Sequence, residues 1–336
     1  MSTGRTGPGE DDEFSAVVAA HQAALLAHCY RMTGSIHDAE DALQDTLLRA
    51  WRGFDAFEGR SSLTTWLFTI ATNCCRRQLE RRPRRVLPVD FGPPADPHGP
   101  VGAGVEESVW VTPFPGTDAP LSPSALYESK ESVELAFIAA LQILPARQRA
   151  ALLLRDVLAF SAQETADALE TTLASVNSSL QRARSTLADR MPQQTQQESL
   201  RAMGSAESDQ MVKRFTSAWE RHDVDEIVSL LAEDVCFEMP PAATWFRGRA
   251  AVEEFLRATP LSGIGRWVAH PIAANGQLAF ALYLDVGDGA VAHSVNVLAT
   301  DGHWITGFIA FRSPDLFEAF RLPRTVSDHS TDARDR

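Results

Sequence analysis

The sequence from residue 35 to residue 82, SIHDAEDALQDTLLRAWRGFDAFEGRSSLTTWLFTIATNCCRRQLERR, decides how the rest of the chain is interpreted. It predicts two long helices joined by a short polar loop. Ser35 is placed to cap the first helix, with Asp38 three residues further on, as in a capping box. Apolar residues then recur at three- and four-residue steps, the period of an amphipathic helix. They are Ile36, Ala39, Leu43, Leu47, Ala50 and Phe54.

The polar faces of these two predicted helices differ in charge. The first helix carries a carboxylate ridge, Asp38, Asp41 and Asp45, that no neighbouring Lys neutralises. The second helix is expected to bury Leu63, Leu67, Ile70 and Cys74. Three- and four-residue steps place its polar residues on the opposite arc, and they are Thr65, Thr69, Thr72, Asn73 and Arg76. The arginine-rich end of this helix suits a nucleic-acid backbone, which is held chiefly by Lys and Arg.

The segments DAEDALQDTLLRAW and FEGRSSLTTWLFTIATN together resemble the second conserved region of bacterial RNA polymerase sigma factors of the extracytoplasmic-function group. The resemblance implies that the first helix binds core RNA polymerase through Asp38, Asp41, Gln44 and Asp45. It also implies that the loop and second helix open and read the −10 promoter element. The residues so implied are Glu58, Gly59, Arg60, Ser61, Ser62, Asn73, Arg76 and Arg77, with Asn73 at an unstacked base and the arginines at phosphates. An acidic solvated helix beside a basic one is the alternative.

Length and charge bound the remaining possibilities. A chain of 336 residues is too long for one ordinary domain, so two or three cores are expected. The net charge of −13 argues against non-specific coating of DNA, although basic residues exceed acidic ones between residues 14 and 85. Residues 1–13 and 326–336 are predicted to be disordered tails.

The cysteines and histidines show no metal-site pattern. Cys29, Cys74, Cys75 and Cys236 lack metal-ligand spacing, which predicts reduced thiols, no cofactor and a cytoplasmic location. No signal peptide or long apolar run is present, so membrane spanning is not expected. We interpret His21 and His28, seven residues apart on one helix, as core or interfacial residues.

Residues 86–124 form an acidic linker rich in Pro and Gly that lacks any helical or strand period. A plain flexible tether and a docked segment are both consistent with its composition. Val109, Trp110, Val111 and Phe114 favour docking, because a free tether gains nothing from exposed aromatic residues. The resemblance implies that this linker threads the active-site cleft of the polymerase.

Residues 125–191 are predicted to be helical and to contain a helix-turn-helix. Ser161 and Glu164 form a capping box, and a turn at residues 171–173 precedes a second, polar helix. The segment LPARQRAALLLRDVLAFSAQETADALETTLASVNSSLQRAR resembles the fourth sigma region, which reads the −35 element. The resemblance places Ser175, Asn177, Ser178, Gln181 and Arg182 at DNA. Glu170 stands where Gly is common in such turns, and Asn177 and Ser179 where Lys or Arg is common.

A further module, residues 205–325, follows a polar linker at 192–204. Two helices and a series of strand-like runs, with FTSAWERHDVDEIVSLLAEDV and FRGRAAVEEFL, resemble the SnoaL-like branch of the NTF2-like fold. That fold is an α+β cone with an apolar cavity. The candidate pocket residues are Phe237, Trp245, Tyr283, His293, Asn296 and Trp304. Asp285, His270 and His293 are candidate acid–base groups if the domain is an enzyme.

The sequence therefore predicts a multidomain chain: two all-α sigma modules, one a helical bundle at residues 14–85, and a C-terminal α+β cone. Its predicted partners are core RNA polymerase and promoter DNA, with a small-molecule ligand and an anti-sigma protein as further candidates. We expect no catalysis. We expect the C-terminal domain to modulate promoter use in cis, either by shielding the basic helix or by clamping the two promoter-reading modules. Two alternatives remain. The C-terminal domain is an enzyme that acts on a metabolite, and the sigma modules only report that activity. Otherwise the chain is a DNA-binding regulator that does not bind polymerase.

Overall fold

The computed structural model of the protein describes residues 8–80, 82–116, 133–191, 194–263, 265–287 and 289–326. The chain forms two compact units. The helical unit contains the described residues up to 84 together with 137–191, and the mixed unit contains 85–116, 133–136 and the described residues from 194 onward. The segment between the two predicted sigma modules therefore belongs to the same unit as the C-terminal domain.

The helical unit is built from α1 (Pro8–Thr33), α2 (Ile36–Gly53), α3 (Leu63–Leu79), α4 (Leu135–Ile143), α5 (Ala146–Leu152), α6 (Ala162–Ala168) and α7 (Leu173–Ala188). The first two residues of α4 belong to the mixed unit, and a π-helical segment, Leu153–Val157, follows α5. The predicted caps are present. The Ser35 side chain accepts from the Asp38 amide, and Ser161 with Glu164 forms a complete capping box at α6. Helix α1 begins at Pro8, so only residues 1–7 of the tail predicted at 1–13 lie outside the described residues.

The apolar stripes of α2 and α3 pack against α1. Ile36, Ala39 and Leu67 are fully buried there. The prediction that Thr72 lies on the polar arc of α3 is wrong. Its hydroxyl donates to the Phe68 carbonyl and bonds to His28 Nε2 at 2.9 Å, because a buried imidazole needs a polar partner. Burial, assisted by the charge of Arg31, lowers the pKa of His28 to about 3, so the ring is neutral.

The mixed unit contains a curved sheet with helices packed against it. Besides a helix of 4 residues at Pro88–Phe91, its helices are α8 (Gln196–Met203), α9 (Ser205–Glu220), α10 (Val224–Ser229), α11 (Arg249–Ala258) and α12 (Asp315–Ala319). Its strands are β1 (Leu231–Glu238), β2 (Trp245–Arg247), β3 (Arg266–Ala274), β4 (Gln277–Asp285), β5 (Ala290–Thr300), β6 (Ile305–Phe311) and β7 (Thr325–Val326). Residues 327–336 of the predicted C-terminal tail lie outside the described residues.

The sheet has the strand order β2-β1-β6-β5-β4-β3, and β7 pairs with β5. Strands β1 and β6 are parallel, and the other neighbours are antiparallel. Register shifts between Leu282 and Tyr283 and between Ala299 and Thr300 bend the sheet, as β-bulges do. The concave side packs on α9 and α11 through Phe215, Phe237 and Phe308.

The segment 192–204, predicted to be a polar linker, contains helix α8. Thr195 and Glu198 form a capping box at its start. The carboxylate of Glu134 then accepts from the backbone amides of Gln196 and Gln197 at 3.0 and 2.8 Å. Helix α8 forms because these two sets of acceptors satisfy amides that a free linker would leave to water.

Residues 86–116, which we call the strap, are docked on the sheet domain of the mixed unit. Trp110, Val111 and Phe114 are buried, as docking predicts, and Trp110 packs 5.2 Å from the ring of Phe91. The backbone of the strap bonds along its length to the loops and edges of the sheet. The amide of Ala95 donates to the Trp245 carbonyl and that of Val105 to the Pro241 carbonyl, both at 2.8 Å.

Candidate functional site

The acidic ridge of α2 is exposed over most of its length. Asp41, Gln44 and Asp45 lie at the surface and border a groove whose other side carries Arg77 and Arg82. The expectation that Asp38 belongs to this exposed ridge is wrong. Its side chain is 5% exposed and forms an ion pair with Arg82, which lies 44 residues away in the sequence. Asp38 therefore ties the start of α2 to the end of α3.

The loop between α2 and α3 carries the other predicted promoter contacts. Glu58, Gly59, Arg60 and Ser62 are exposed, and Ser61 is half-buried. Gly59 has a φ of +68° with open space around it, so its conformation requires glycine rather than close packing. Ser62 caps α3 by accepting from the Thr65 amide at 3.0 Å, which orients the loop at the start of the polar face of α3.

The polar face of α3 is partly covered by helix α6. The hydroxyl of Thr65 donates to Glu164 at 3.3 Å, and the amide of Asn73 donates to the Ala168 carbonyl at 3.4 Å. Arg76 donates to the side-chain oxygen Oδ1 of Asn73 at 3.1 Å. Arg77, the next residue, is exposed. The structure thus brings Asn73 and Arg76 together, as predicted, but against α6 rather than against open solvent.

A buried arginine that the sequence analysis missed joins α5 to the end of α1. The guanidinium of Arg149 donates to the carbonyl of Met32 and, at 3.1 Å each, to the carbonyls of Gln142 and Leu144. Burial, with a smaller contribution from Arg84, lowers its pKa to about 9, so it stays charged at neutral pH. Its position in ARQRAAL gives no sign of this role, because exposed Arg147 in the same helix looks equivalent in sequence.

Helix α7 presents its predicted contacts outward. Asn177, Gln181 and Arg182 are exposed, and Ser175 and Ser178 are half-buried. Thr172 caps the helix by accepting from the Ser175 amide, and Arg184 is held by Asp156 through two bonds of 2.9 and 2.6 Å. Glu170 stands in the turn at the position where glycine is common. It adopts the positive φ of 50° that the turn needs, so the turn forms without glycine.

A pocket of about 310 Å³ lies inside the mixed unit. Its lining residues are Val101, Trp219, Phe237, Met239, Phe255, Thr259, Pro260, Trp267, Leu282, Leu284, His293, Ser294, Asn296, Ala310 and Arg312. Of the predicted lining residues, Phe237, His293 and Asn296 are present. Trp219, Phe255 and Trp267 were missed, since their helical or strand periodicity signalled only core packing.

Three predicted pocket residues lie elsewhere. Trp245 is buried and its indole donates to the Gly92 carbonyl of the strap at 2.8 Å. Trp304 is 46% exposed in the turn before β6. Tyr283 packs on Phe317 at 5.2 Å, because strand alternation turns it away from the pocket that its neighbours Leu282 and Leu284 line.

The candidate acid–base groups are also separated. His270 is exposed, and Asp285 is held by the Gly287 amide and Arg266, which lower the pKa of its carboxyl. Only His293 lines the pocket, where burial and the charge of Arg312 lower its pKa to about 4. Among the residues that the structure describes, no cluster of three or more His, Cys, Asp or Glu side chains is arranged to hold a metal ion. Within the same described residues, no helix is both long and apolar enough to cross a membrane.

Comparison with known proteins places this geometry in a family. The family models for Sigma-70 region 2, Sigma-70 region 4 and the SnoaL-like domain match residues 17–85, 134–187 and 212–313. The ECF RNA polymerase sigma factor SigG of Mycobacterium tuberculosis is 44% identical over 317 residues, which are 94% of this chain and 85% of SigG. SigJ of the same organism is 28% identical over 310 residues, covering 87% of this chain and 89% of SigJ.

The crystal structure of SigJ from M. tuberculosis has the same fold, with a TM-score of 0.61 at 22% identity over 92% of this chain and all of that one. Helical sigma modules followed by a SnoaL-like domain define a class of transcription initiation factor. The chain belongs to the extracytoplasmic-function RNA polymerase sigma factors, and it directs promoter-specific transcription initiation by core RNA polymerase.

Proposed function

We propose that this sigma factor is held in a closed state by its own C-terminal domain, which fastens the linker between the two promoter-reading modules. The observation that carries the proposal is the attachment of the part of that linker nearest α4. Asn275 accepts from the Phe114 amide at 2.8 Å and donates to the Val133 carbonyl at 2.6 Å. Gln277 accepts from the Leu135 amide at 2.8 Å.

The proposal assigns roles to the exposed polar residues. Asp41, Gln44 and Asp45 bind core polymerase, while Asp38 acts indirectly through Arg82 by fixing α2 on α3. The loop 58–62, with Asn73, Arg76 and Arg77, binds the melted −10 element. Extruding a base costs a few kcal/mol, and the amide of Asn73 offsets part of this cost. The −35 element is bound by Ser175, Asn177, Ser178, Gln181 and Arg182.

The two modules must move apart before the protein can bind both promoter elements. The −10 and −35 elements, about 25 base pairs apart by name, lie roughly 85 Å apart along DNA at about 3.4 Å per base pair. In the helical unit, Thr65 of the −10 reader is 3.3 Å from Glu164 of the −35 module. A protein in this arrangement cannot engage both elements, so the modules must separate in the working complex.

Separation of the two modules requires a free length of linker between them. Docking of the strap therefore controls how far the modules can separate. The strap is the larger part of the covalent connection between α3 and α4, and about 30 extended residues span at most about 100 Å. While it is docked, that length is not available to the two modules. Release of the strap therefore favours the open state, and stronger docking favours the closed one.

The proposal is tested by weakening the attachment without straining the backbone. Asn275 has a φ of 52°, which glycine adopts readily, so Asn275→Gly removes the side-chain bonds to Phe114 and Val133 and keeps the turn. We expect several-fold more transcription from a promoter that the holoenzyme uses. His222→Gly is the matched control, because His222 also has a positive φ of 55° and bonds to no strap residue. Equal transcription by all three proteins would refute the proposal.

We infer that the C-terminal domain regulates rather than catalyses. Its relatives SigG and SigJ are sigma factors. No carboxylate is among the described pocket-lining residues, and His293, with a pKa near 4, is a weak base at neutral pH. Since the protein serves core RNA polymerase, we place it in the cytoplasm. An anti-sigma partner stays a prediction.

A further inference from the structure

The pocket of the mixed unit combines an apolar slot with one charged side chain. Trp219 and Trp267 meet edge to face at 5.8 Å, and the rings of Phe237 and Phe255 lie 5.7 Å apart. All four side chains line the pocket and are nearly fully buried. Aromatic rings prefer these edge-to-face and tilted contacts, so a flat ring placed among them gains specific packing as well as burial.

Arg312 lines the same pocket but is not used by the fold. It is exposed, and its guanidinium forms no hydrogen bond or ion pair with any residue that the structure describes. His293 nearby is neutral at physiological pH, because its pKa is lowered to about 4. The indole N–H of buried Trp219 also lacks a partner among the described residues. The pocket thus offers one unpaired cation and one unpaired donor, and both favour an anion.

One wall of the pocket comes from the strap. Val101 contributes to the lining, while the amide of neighbouring Gly102 donates to the Thr244 hydroxyl at 2.9 Å. A molecule in the pocket therefore contacts the strap and the sheet domain together. Such a molecule binds better when the strap is docked, so it shifts the equilibrium toward that state.

We propose that this pocket binds a small aromatic carboxylate, whose ring packs among the four aromatic side chains and whose carboxylate pairs with Arg312. The bound acid holds the strap in place by packing against Val101, a consequence that rests on the function proposed above. A cavity of about 310 Å³ is at the small end of ligand sites, which restricts the molecule to one or two rings. A cationic ring would be repelled by Arg312, and a neutral one would leave it unpaired.

The binding step is tested on the full-length protein with 2-naphthoate, monitored by calorimetry and by quenching of tryptophan fluorescence. We expect 2-naphthoate to bind, and 2-naphthamide, which has the same shape without the charge, to bind at least tenfold more weakly. Arg312→Gln should weaken 2-naphthoate binding at least tenfold. Arg221→Gln removes an equally exposed charge that pairs with Asp223, away from the pocket lining, and should leave binding unchanged.

Two results would overturn the binding step: no binding of 2-naphthoate, or equal binding by the wild-type protein and Arg312→Gln. The effect of the ligand on docking of the strap is measured separately, by amide hydrogen exchange at Gly102 and Val105. Both amides donate to the sheet domain. Saturating 2-naphthoate should slow exchange at these amides in the wild-type protein but not in Arg312→Gln. Unchanged exchange with bound ligand would overturn the coupling to the strap. Neither readout depends on transcription, so failure here is distinguishable from failure of the Asn275→Gly experiment.

Discussion

The two helices proposed to read the promoter differ in how far their polar faces are exposed. Helix α7, the predicted −35 reader, presents Asn177, Gln181 and Arg182 to solvent, whereas helix α3 has Thr65 and Asn73 engaged by α6. If the proposed roles hold, α7 is accessible to duplex DNA in the closed state, whereas α3 is not accessible to melted bases. On the proposed site assignments, we expect regulation to act on opening the promoter rather than on finding it.

The hydrogen bonds between α6 and α3 are individually weak, although buried Arg149 and Gln142 also join the −35 module to the end of α1. The two hydrogen bonds between α6 and α3 are long, at 3.3 and 3.4 Å, and involve partly exposed groups. Each is worth about 1 kcal/mol or less. Glu164 keeps its capping bonds to Ser161 whether or not Thr65 is present, so opening leaves no buried carboxylate unpaired.

The largest expected effect concerns Arg149, which joins α5 to the end of α1. Arg149→Met leaves the carbonyls of Met32, Gln142 and Leu144 buried without their donor, which should cost about 3 kcal/mol of unfolding free energy. Urea unfolding measures this loss. Exposed Arg147→Met, in the same helix, should change stability by less than about 0.5 kcal/mol. Similar losses for both variants would mean that Arg149 does not anchor the unit.

Two asparagine substitutions test whether α3 binds melted DNA and α7 binds duplex DNA. Asn73→Ala should reduce open-complex formation by about 2 kcal/mol, because it removes a partner for an extruded base, while closed-complex binding stays nearly unchanged. Asn177→Ala should do the reverse. Permanganate footprinting measures melting and gel-shift titration measures duplex binding. Equal losses in both assays for Asn73→Ala would end its assignment to an unstacked base.

Arg182→Ala should weaken binding of a −35 duplex by about 1–3 kcal/mol if it makes a bidentate contact with a base. Arg184→Ala is the control, since Arg184 is already paired with Asp156 and an exposed pair contributes little. Titration of both variants against the cognate and a scrambled duplex separates base recognition from charge. Loss of the same size on both duplexes would place Arg182 at the phosphate backbone instead.

The last expected effect is pH-dependent and concerns the strap. Glu238 accepts from the Val89 amide at 2.9 Å and is buried, and burial raises the pKa of its carboxyl to about 7 from the ordinary 4.5. The folded protein thus binds this proton more tightly than the unfolded chain, so stability falls as pH rises from about 4.5 through 7. Glu238→Gln keeps an acceptor for Val89 without the charge. It should raise stability by about 1–3 kcal/mol at pH 8, since each unit of raised carboxyl pKa costs about 1.4 kcal/mol, and by little at pH 5, measured by thermal unfolding. An equal effect at both pH values would show that the carboxyl does not titrate there.

Local features of this fold were predictable from the sequence, and features that depend on distant residues were not. The caps at Ser35 and Ser161 follow from residues three positions apart, so they were predicted correctly. Asp38 was placed on the surface because its partner, Arg82, is remote in sequence. Tyr283 was placed in the pocket because strand parity depends on register, and a bulge sits at that residue.

The strap shows the same limit on a larger scale. Its aromatic residues predicted docking, but the surface that receives it depends on Asn275 and Thr244, more than 140 residues later. Composition alone describes these residues as a linker. The regulatory role that we propose for them rests on tertiary hydrogen bonds that no local pattern encodes.

The central claim is that α6 covers α3 in the free protein and leaves it in the working complex. Spin labels introduced as non-natural amino acids at the exposed positions Arg77 and Asp167 report that distance by pulsed electron resonance. We predict one short distance in the free protein, a much longer one with core polymerase and promoter DNA, and an increased long-distance population in free Asn275→Gly. The same short distance in the free protein and in the promoter complex would contradict the account.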